Sequence, residues 1–216
     1  MMWNVLGVFG AAASTVPPTF TFTDIGTYSA AYGINNSGQV VGVASILDGT
    51  EHAFFYSNGT MYDLGTLGGT KSQANAINDD GQIVGSSYTS NGSKHAFLYS
   101  NGVMNDLGTL AGAANPASES QAAAINSSGQ VVGSSFTSST SGYRLHAFLY
   151  SNGVMNDLGA SVFDFSSATA INSSGQAVGY ASNTNVPGSS GALFSNDTTY
   201  ALNTLLQGGS NSNVVL

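Results

Sequence analysis

Apolar positions along this chain fall in short bursts broken by Gly, Asn and Ser, and no stretch carries the 3.6-residue period or the caps of a helix. The bursts recur in a fixed order. Ala31 to Gly42 reads AYGINNSGQVVG, and the same word returns as NAINDDGQIVG from Asn75, AAINSSGQVVG from Ala123 and TAINSSGQAVG from Thr169. A second word follows each: HAFFYSNGTMYDLGTL from His52, HAFLYSNGVMNDLGTL from His95, HAFLYSNGVMNDLG from His146, and a degraded GALFSNDTTYALNTL from Gly191. The pattern predicts four short strands per unit. Ala-x-Ala-Ile-Asn is the first, followed by an Asn-x-x-Gly turn in which Gly38, Gly81, Gly129 and Gly175 occupy the last position of a type I turn. Gln-Val-Val-Gly-Ser-Ser is the second, then a variable Ser/Gly/Thr loop, and His-Ala-Phe-Leu-Tyr-Ser is the third. Asn58-Gly59, Asn101-Gly102 and Asn152-Gly153 supply tight hairpins before a fourth strand, Met-Asn-Asp-Leu-Gly.

In Phe97-Leu98-Tyr99 both alternating faces are apolar, so the sheets should be covered on both sides. Stacked β-propeller blades meet that requirement. Small residues in the first two strands suit the taper near a central axis, and a repeat of about 45 residues matches a four-stranded blade. A parallel β-helix is the rival, but its rungs are shorter and need no Asn-Gly hairpins. The fold class expected is therefore all-β, a β-propeller of four-stranded antiparallel blades, with four repeats plus a lone N-terminal strand at residues 20–26. The units run about 28–69, 70–117, 118–163 and 164–206, within a single repeat domain of residues 20–216. Residues 207–216 form the start of a further unit or a tail. Open ends would expose edge strands; the N-terminal strand closing the ring, two chains completing one another, and a longer parent protein all stay open.

Composition changes the picture in one respect. Charged residues make up 6 % of the chain, with three bases (Lys71, Lys94, Arg144) against eleven acids and a net charge of −8. Phosphate binding needs clustered cations, so nucleic acid is excluded as a partner, as is docking on an anionic membrane. There is no cysteine, hence no disulfide or thiolate metal site. Residues 1–19 open with MMWNVLGVFGAAAST, an apolar run ending in small residues that looks like a signal-peptide remnant without its positive start. It is too short to span a bilayer, which takes about 20 apolar residues. Export, with no membrane insertion, is the expectation.

The repeated HAF(L/F)YSNG…DLGTL and AINxxGQVVG words resemble the bacterial extracellular HAF-repeat family, over nearly everything from Asp24 to Leu206. The resemblance implies a propeller-like repeat fold in an exported protein and says little about activity. The fourth unit departs from it, having lost both the His-Ala-Phe and the Asp-Leu-Gly words.

His52, His95 and His146 invite a metal-site reading, but each opens a third strand, away from the axis where equivalent residues converge. A hydrogen bond within each blade is more economical, pairing His52 with Asp63, His95 with Asp106 and His146 with Asp157. The fourth unit lacks both members, with Gly191 aligned to the histidine and Ala201 to the aspartate, as expected where keeping one would orphan a polar group. Asp79 and Asp80 could ligate Ca²⁺, the one cofactor the chain offers groups for, yet the other three copies of this turn have no carboxylate. An ordinary solvated turn is expected, capped by Asn35, Asn78, Asn126 and Asn172. No nucleophile elbow and no phosphate loop occurs. Tyr88, Phe136, Tyr143 and Phe163 lie in or beside variable loops and are the candidate contacts for a glycan or protein partner.

These readings converge on an exported, non-enzymatic propeller module that binds or assembles at the cell surface or in extracellular matrix. Two alternatives stand beside it. One is a propeller hydrolase, a lactonase or glycan-acting enzyme, with a divalent cation in the central channel, which is fold-level analogy alone. The other is a filament subunit that self-associates through edge strands, residues 20–26 completing a neighbour's sheet.

Overall fold

The computed structural model describes residues 29–202 except 47, 113–117, 138–143, 160–162, 185–187 and 196–197. The expected strand at residues 20–26, the leader at 1–19 and the tail at 207–216 lie outside the described residues. Among the described residues sixteen strands form four antiparallel sheets, each a meander whose strands pair in chain order. The first unit is β1 (Ser29–Ile34), β2 (Val40–Ser45), β3 (Glu51–Ser57) and β4 (Thr60–Asp63). The second is β5 (Gly68–Ile77), β6 (Ile83–Thr89), β7 (Lys94–Ser100) and β8 (Val103–Gly108). The third is β9 (Ser120–Ile125), β10 (Val131–Thr137), β11 (Arg144–Ser151) and β12 (Val154–Asp157). The fourth is β13 (Phe165–Ile171), β14 (Ala177–Ser182), β15 (Ser190–Ser195) and β16 (Thr198–Ala201). The chain is all-β and propeller-like.

Two local devices shape the units. In the first three, the hairpin between third and fourth strands turns on an Asn-Gly pair with both residues left-handed, φ 50° and 78° at Asn58-Gly59 and 53° and 80° at Asn101-Gly102. That is the turn whose twist matches the flanking strands. The first strand carries a β-bulge against the second: the register slips at Ala31/Gly33, Ala74/Ala76, Ala122/Ala124 and Ala168/Ala170. The glycine of Val-Val-Gly answers that bulge. A Cβ on Gly42, Gly85 or Gly179 would lie 1.9 Å from the carbonyl oxygen of the bulged strand, and on Gly133 2.0 Å. No side chain fits there.

The hydrophobic core sits in the seams between sheets. Val41, Ala53 and Leu64 of the first unit meet Ala74, Ile77 and Ile83 of the second. Val84, Ala96 and Leu107 meet Ala122 and Val131 in the same way, and Val132 and Ala147 meet Ala168 and Ala177. Each first strand packs on the first, second and third strands of the preceding unit, so β1, β5, β9 and β13 lie side by side as an inner wall. In the first three units the fourth strand stands outermost and mostly exposed, burying little beyond Leu64 and Leu107, whereas β16 buries Thr199 and Ala201. The two-sided coverage expected of Phe97-Leu98-Tyr99 follows from this stacking: Phe97 is fully buried in the seam with the first unit, and Leu98 packs into the seam with the third.

Candidate functional site

Each histidine meets the aspartate of its own unit. His52 Nδ1 lies 3.0 Å from both carboxylate oxygens of Asp63; for His95 and Asp106 the distances are 3.0 and 2.8 Å, and for His146 and Asp157 3.0 and 2.8 Å. The carboxylate can only accept, so Nδ1 carries the proton. The same carboxylates also accept the main-chain N–H two residues on, Gly65 and Gly108 at 2.7 Å and Gly159 at 2.8 Å. One acid thereby ties the third strand to the bend that leaves the fourth. The histidine side chains are 16, 18 and 8 % exposed and their aspartates 48, 41 and 23 %, so the first two pairs sit half-open at the sheet surface and the third is largely buried. Nε2 of His146 is buried without a partner among the described residues.

Strand register corrects one alignment. His52 lies opposite Ala44, and the residue opposite the matching Ala181 of the fourth unit is Ser190; Gly191 faces Tyr180, as Ala53 faces Val43. The fourth unit therefore reads Ser-Gly-Ala-Leu-Phe-Ser against His-Ala-Phe-Phe-Tyr-Ser, with Ala201 at the aspartate position opposite Ala192 as Asp63 is opposite Phe54. Both members of the pair are absent there, the histidine position being one residue earlier than the sequence words imply.

The repeated asparagines do more than cap their turns. Oδ1 of Asn35, Asn126 and Asn172 accepts the main-chain N–H two residues and four residues on, as a cap should. Nδ2 reaches across the seam as well: Asn35 donates to the Asn78 carbonyl at 3.1 Å, Asn78 to that of Asn126 at 3.0 Å, and Asn126 to that of Asn172 at 3.0 Å. Serines bridge the same seams. Ser72 Oγ accepts the Ala53 N–H at 2.8 Å and donates to the Gly65 carbonyl at 2.5 Å, and Ser120 repeats both bonds with Ala96 and Gly108. The carboxylate of Asp79 is also spent on a seam, accepting from the main chain and side chain of Asn36 at 2.9 and 2.6 Å. Among the described residues no three His, Asp or Glu side chains converge.

A pocket of about 210 Å³ opens on the rim that carries the variable loops, where the first three units meet. Val43, Ser72, Gln73, Ser86, Tyr88, Lys94 and Gln121 line it with the Lys71–Glu51 pair, whose charges are 3.2 Å apart. Lys94 Nζ donates to Gln121 Oε1 at 3.3 Å. Two of the three bases in the chain therefore sit in one pocket; the third, Arg144, is ion-paired with Asp164. Of the four aromatic loop candidates, Tyr88 is 37 % exposed and lines this pocket. Phe136 lies half-buried within β10, its main chain bonded to Glu119 and Ala111. Phe163 is 8 % exposed and belongs to the core of the fourth unit, beside Ala168 and Ala192, so it is no surface contact. The place of Phe54, Phe97 and Phe148 is taken in that unit by Ala192, and Phe163 belongs to the same cluster. Tyr143 lies outside the described residues. Sequence reasoning passed over the lysines because Lys71 and Lys94 stand 23 residues apart on different strands; only their common height on the rim, set by strand register, brings them together.

No protein-family model matches the sequence, and no curated protein does. Among solved structures the chain is similar to the crystal structure of TolB from Acinetobacter baumannii, with a TM-score of 0.51 and 15 % identity. The match covers 80 % of this chain and 40 % of that one, so less than half of the protein it resembles is matched. At that identity the likeness concerns the fold, which is that of a β-propeller.

Proposed function

We propose that this chain is an exported, non-enzymatic β-propeller module of the HAF-repeat kind that binds carbohydrate at the cell surface or in extracellular matrix. The observation that carries the reading is the rim pocket, where the Tyr88 ring stands among Gln73, Gln121, Lys71 and Lys94. An aromatic ring offers its face to the C–H side of a pyranose, while amides and ammonium groups meet hydroxyls and a carboxylate. Two cations against the single carboxylate of Glu51 leave this pocket positive in a chain of net charge −8, which favours a sugar acid over a neutral sugar. The volume, about 210 Å³, is below that of drug-sized ligand sites, which run from about 300 Å³ upward, and leaves room for one sugar residue. Lys71 and Glu51 are both about half exposed, so breaking their pair to admit a ligand costs under about 1 kcal/mol. Each histidine is held by an aspartate of its own unit, which supports a structural part for these pairs.

The test is binding of neutral and uronic-acid oligosaccharides to the purified chain, followed by calorimetry on any hit. Tyr88→Ala and Lys94→Ala should each weaken the uronate complex about tenfold or more, the loss of one good contact. The sugar should be recovered intact. A chain that binds neither class, or variants that bind as well as the parent, would end this reading; cleaved sugar would replace it with an enzyme.

A further inference from the structure

The seams between units are asymmetric, and the two end faces are the unmatched halves of one seam. Val41, Val84 and Val132 are fully buried against the next unit, whereas Val178 at the same position is 42 % exposed and Tyr180 beside it 47 %. At the opposite end the relation reverses. Ala74, Ala122 and Ala168 are fully buried against the preceding unit, yet the matching Ala31 is exposed; Ile77 is 8 % exposed and the matching Ile34 69 %. The asparagine ladder stops in the same place. Asn78 and Asn126 are buried at 7 and 6 %, while Asn172 is exposed and its Nδ2 bonds to Gln176 of its own unit. Among the described residues no packing comparable to the three internal seams joins the fourth unit to the first.

We propose that the fourth-unit face of one copy takes the first-unit face of a second copy, head to tail, and that two copies close an eight-bladed ring. The occupant is identified by continuity with the internal seams. Val178, Tyr180 and Leu193 meet Ala31, Ile34 and Val40 of the second copy, and Asn172 Nδ2 donates to its Asn35 carbonyl, as each asparagine does to the unit after it. None of these side chains is charged, so nothing opposes the approach. A head-to-tail contact that closes uses the same seam twice and leaves no end to polymerise. Eight blades lie within the usual range of about 4–8. The seam involves sheet faces and leaves the outer edge strands untouched, and it is independent of the sugar pocket.

Sedimentation equilibrium of the full chain tests it, with an expected mass twice that of the 21.9 kDa chain. Val178→Asp and Ile34→Asp should each weaken association at least about 100-fold, because a carboxylate would be buried unpaired, with the far-UV spectrum unchanged. The chain has no cysteine, so a pair can be placed at the seam: Asn36→Cys with Ser173→Cys, the positions that Asn36 and Asp79 occupy across the first internal seam. Oxidation or a short bismaleimide should give a covalent dimer. A monomeric parent chain, a crosslink formed within one chain, or an open polymer would each overturn the proposal. Tyr88→Ala should stay dimeric, which separates this result from that on the sugar.

Discussion

His95 and Asp106 show how much a single pair can be asked to do. Asp106 accepts from the imidazole and from the Gly108 N–H, so it joins β7 to the start of the crossing into the third unit. The aspartate is 41 % exposed, which keeps the gain modest. His95→Ala should lower unfolding free energy by about 1 kcal/mol and Asp106→Ala by somewhat more, since it also strips the glycine of its cap. Urea unfolding of both variants and the double variant reads their coupling, expected at about 0.5–1 kcal/mol. Strictly additive losses would show that the pair is not a unit. The pairing itself was legible from the sequence, because histidine and aspartate keep their places in three units and vanish together in the fourth. The identity of the fourth-unit residue was not, because GALF looks like HAFL word for word while the ladder puts Ser190 opposite Ala181.

At the scale of the element, the second strand is specified by what its glycine lets past. The bulged first strand crosses so close to Gly85 that the Gln73 carbonyl fills the space of a Cβ. Gly85→Ala must flatten the bulge or push the strands apart, and a loss of about 3 kcal/mol or more in urea unfolding is expected, the range of severe overpacking. A loss below about 1 kcal/mol would mean that the bulge is soft. The Asn-Gly hairpins and the Asn-x-x-Gly turns could be placed from sequence because their left-handed residues are chemically marked. The seam serines could not be assigned a task. Ser72 and Ser120 are two among many serines, and only stacking shows that each satisfies an N–H and a carbonyl of the preceding unit, Ala53 and Gly65 for one, Ala96 and Gly108 for the other.

For the whole molecule, stability is approximately a sum of unit and seam contributions, because among the described residues the extensive contacts of each sheet are with its neighbours. Units two and three own two seams, whereas the end units own one within the chain. In the Val178→Asp variant, amide hydrogen exchange should therefore be slowest in β6 and β10 and faster in β2 and β14. Uniform protection across the four units would point to one cooperative block instead. Charge contributes little at this scale: charged residues make up 6 % of the chain, and the lysine and arginine ion pairs among the described residues are Lys71–Glu51 and Arg144–Asp164.

Sequence alone determined the four antiparallel strands of each described unit, the turns between them and the need for cover on both faces. Those are local matters, decided by side-chain alternation and by the few residues that tolerate left-handed backbone. Tertiary structure decided the rest: that Phe163 is core, that Asn126 bonds to the next unit, that Lys71 and Lys94 share a pocket, and that Val178 and Ile34 face outward. Each depends on which residues of a different unit stand opposite, and that is set by how one sheet is stacked and offset on the next, a relation no single repeat contains.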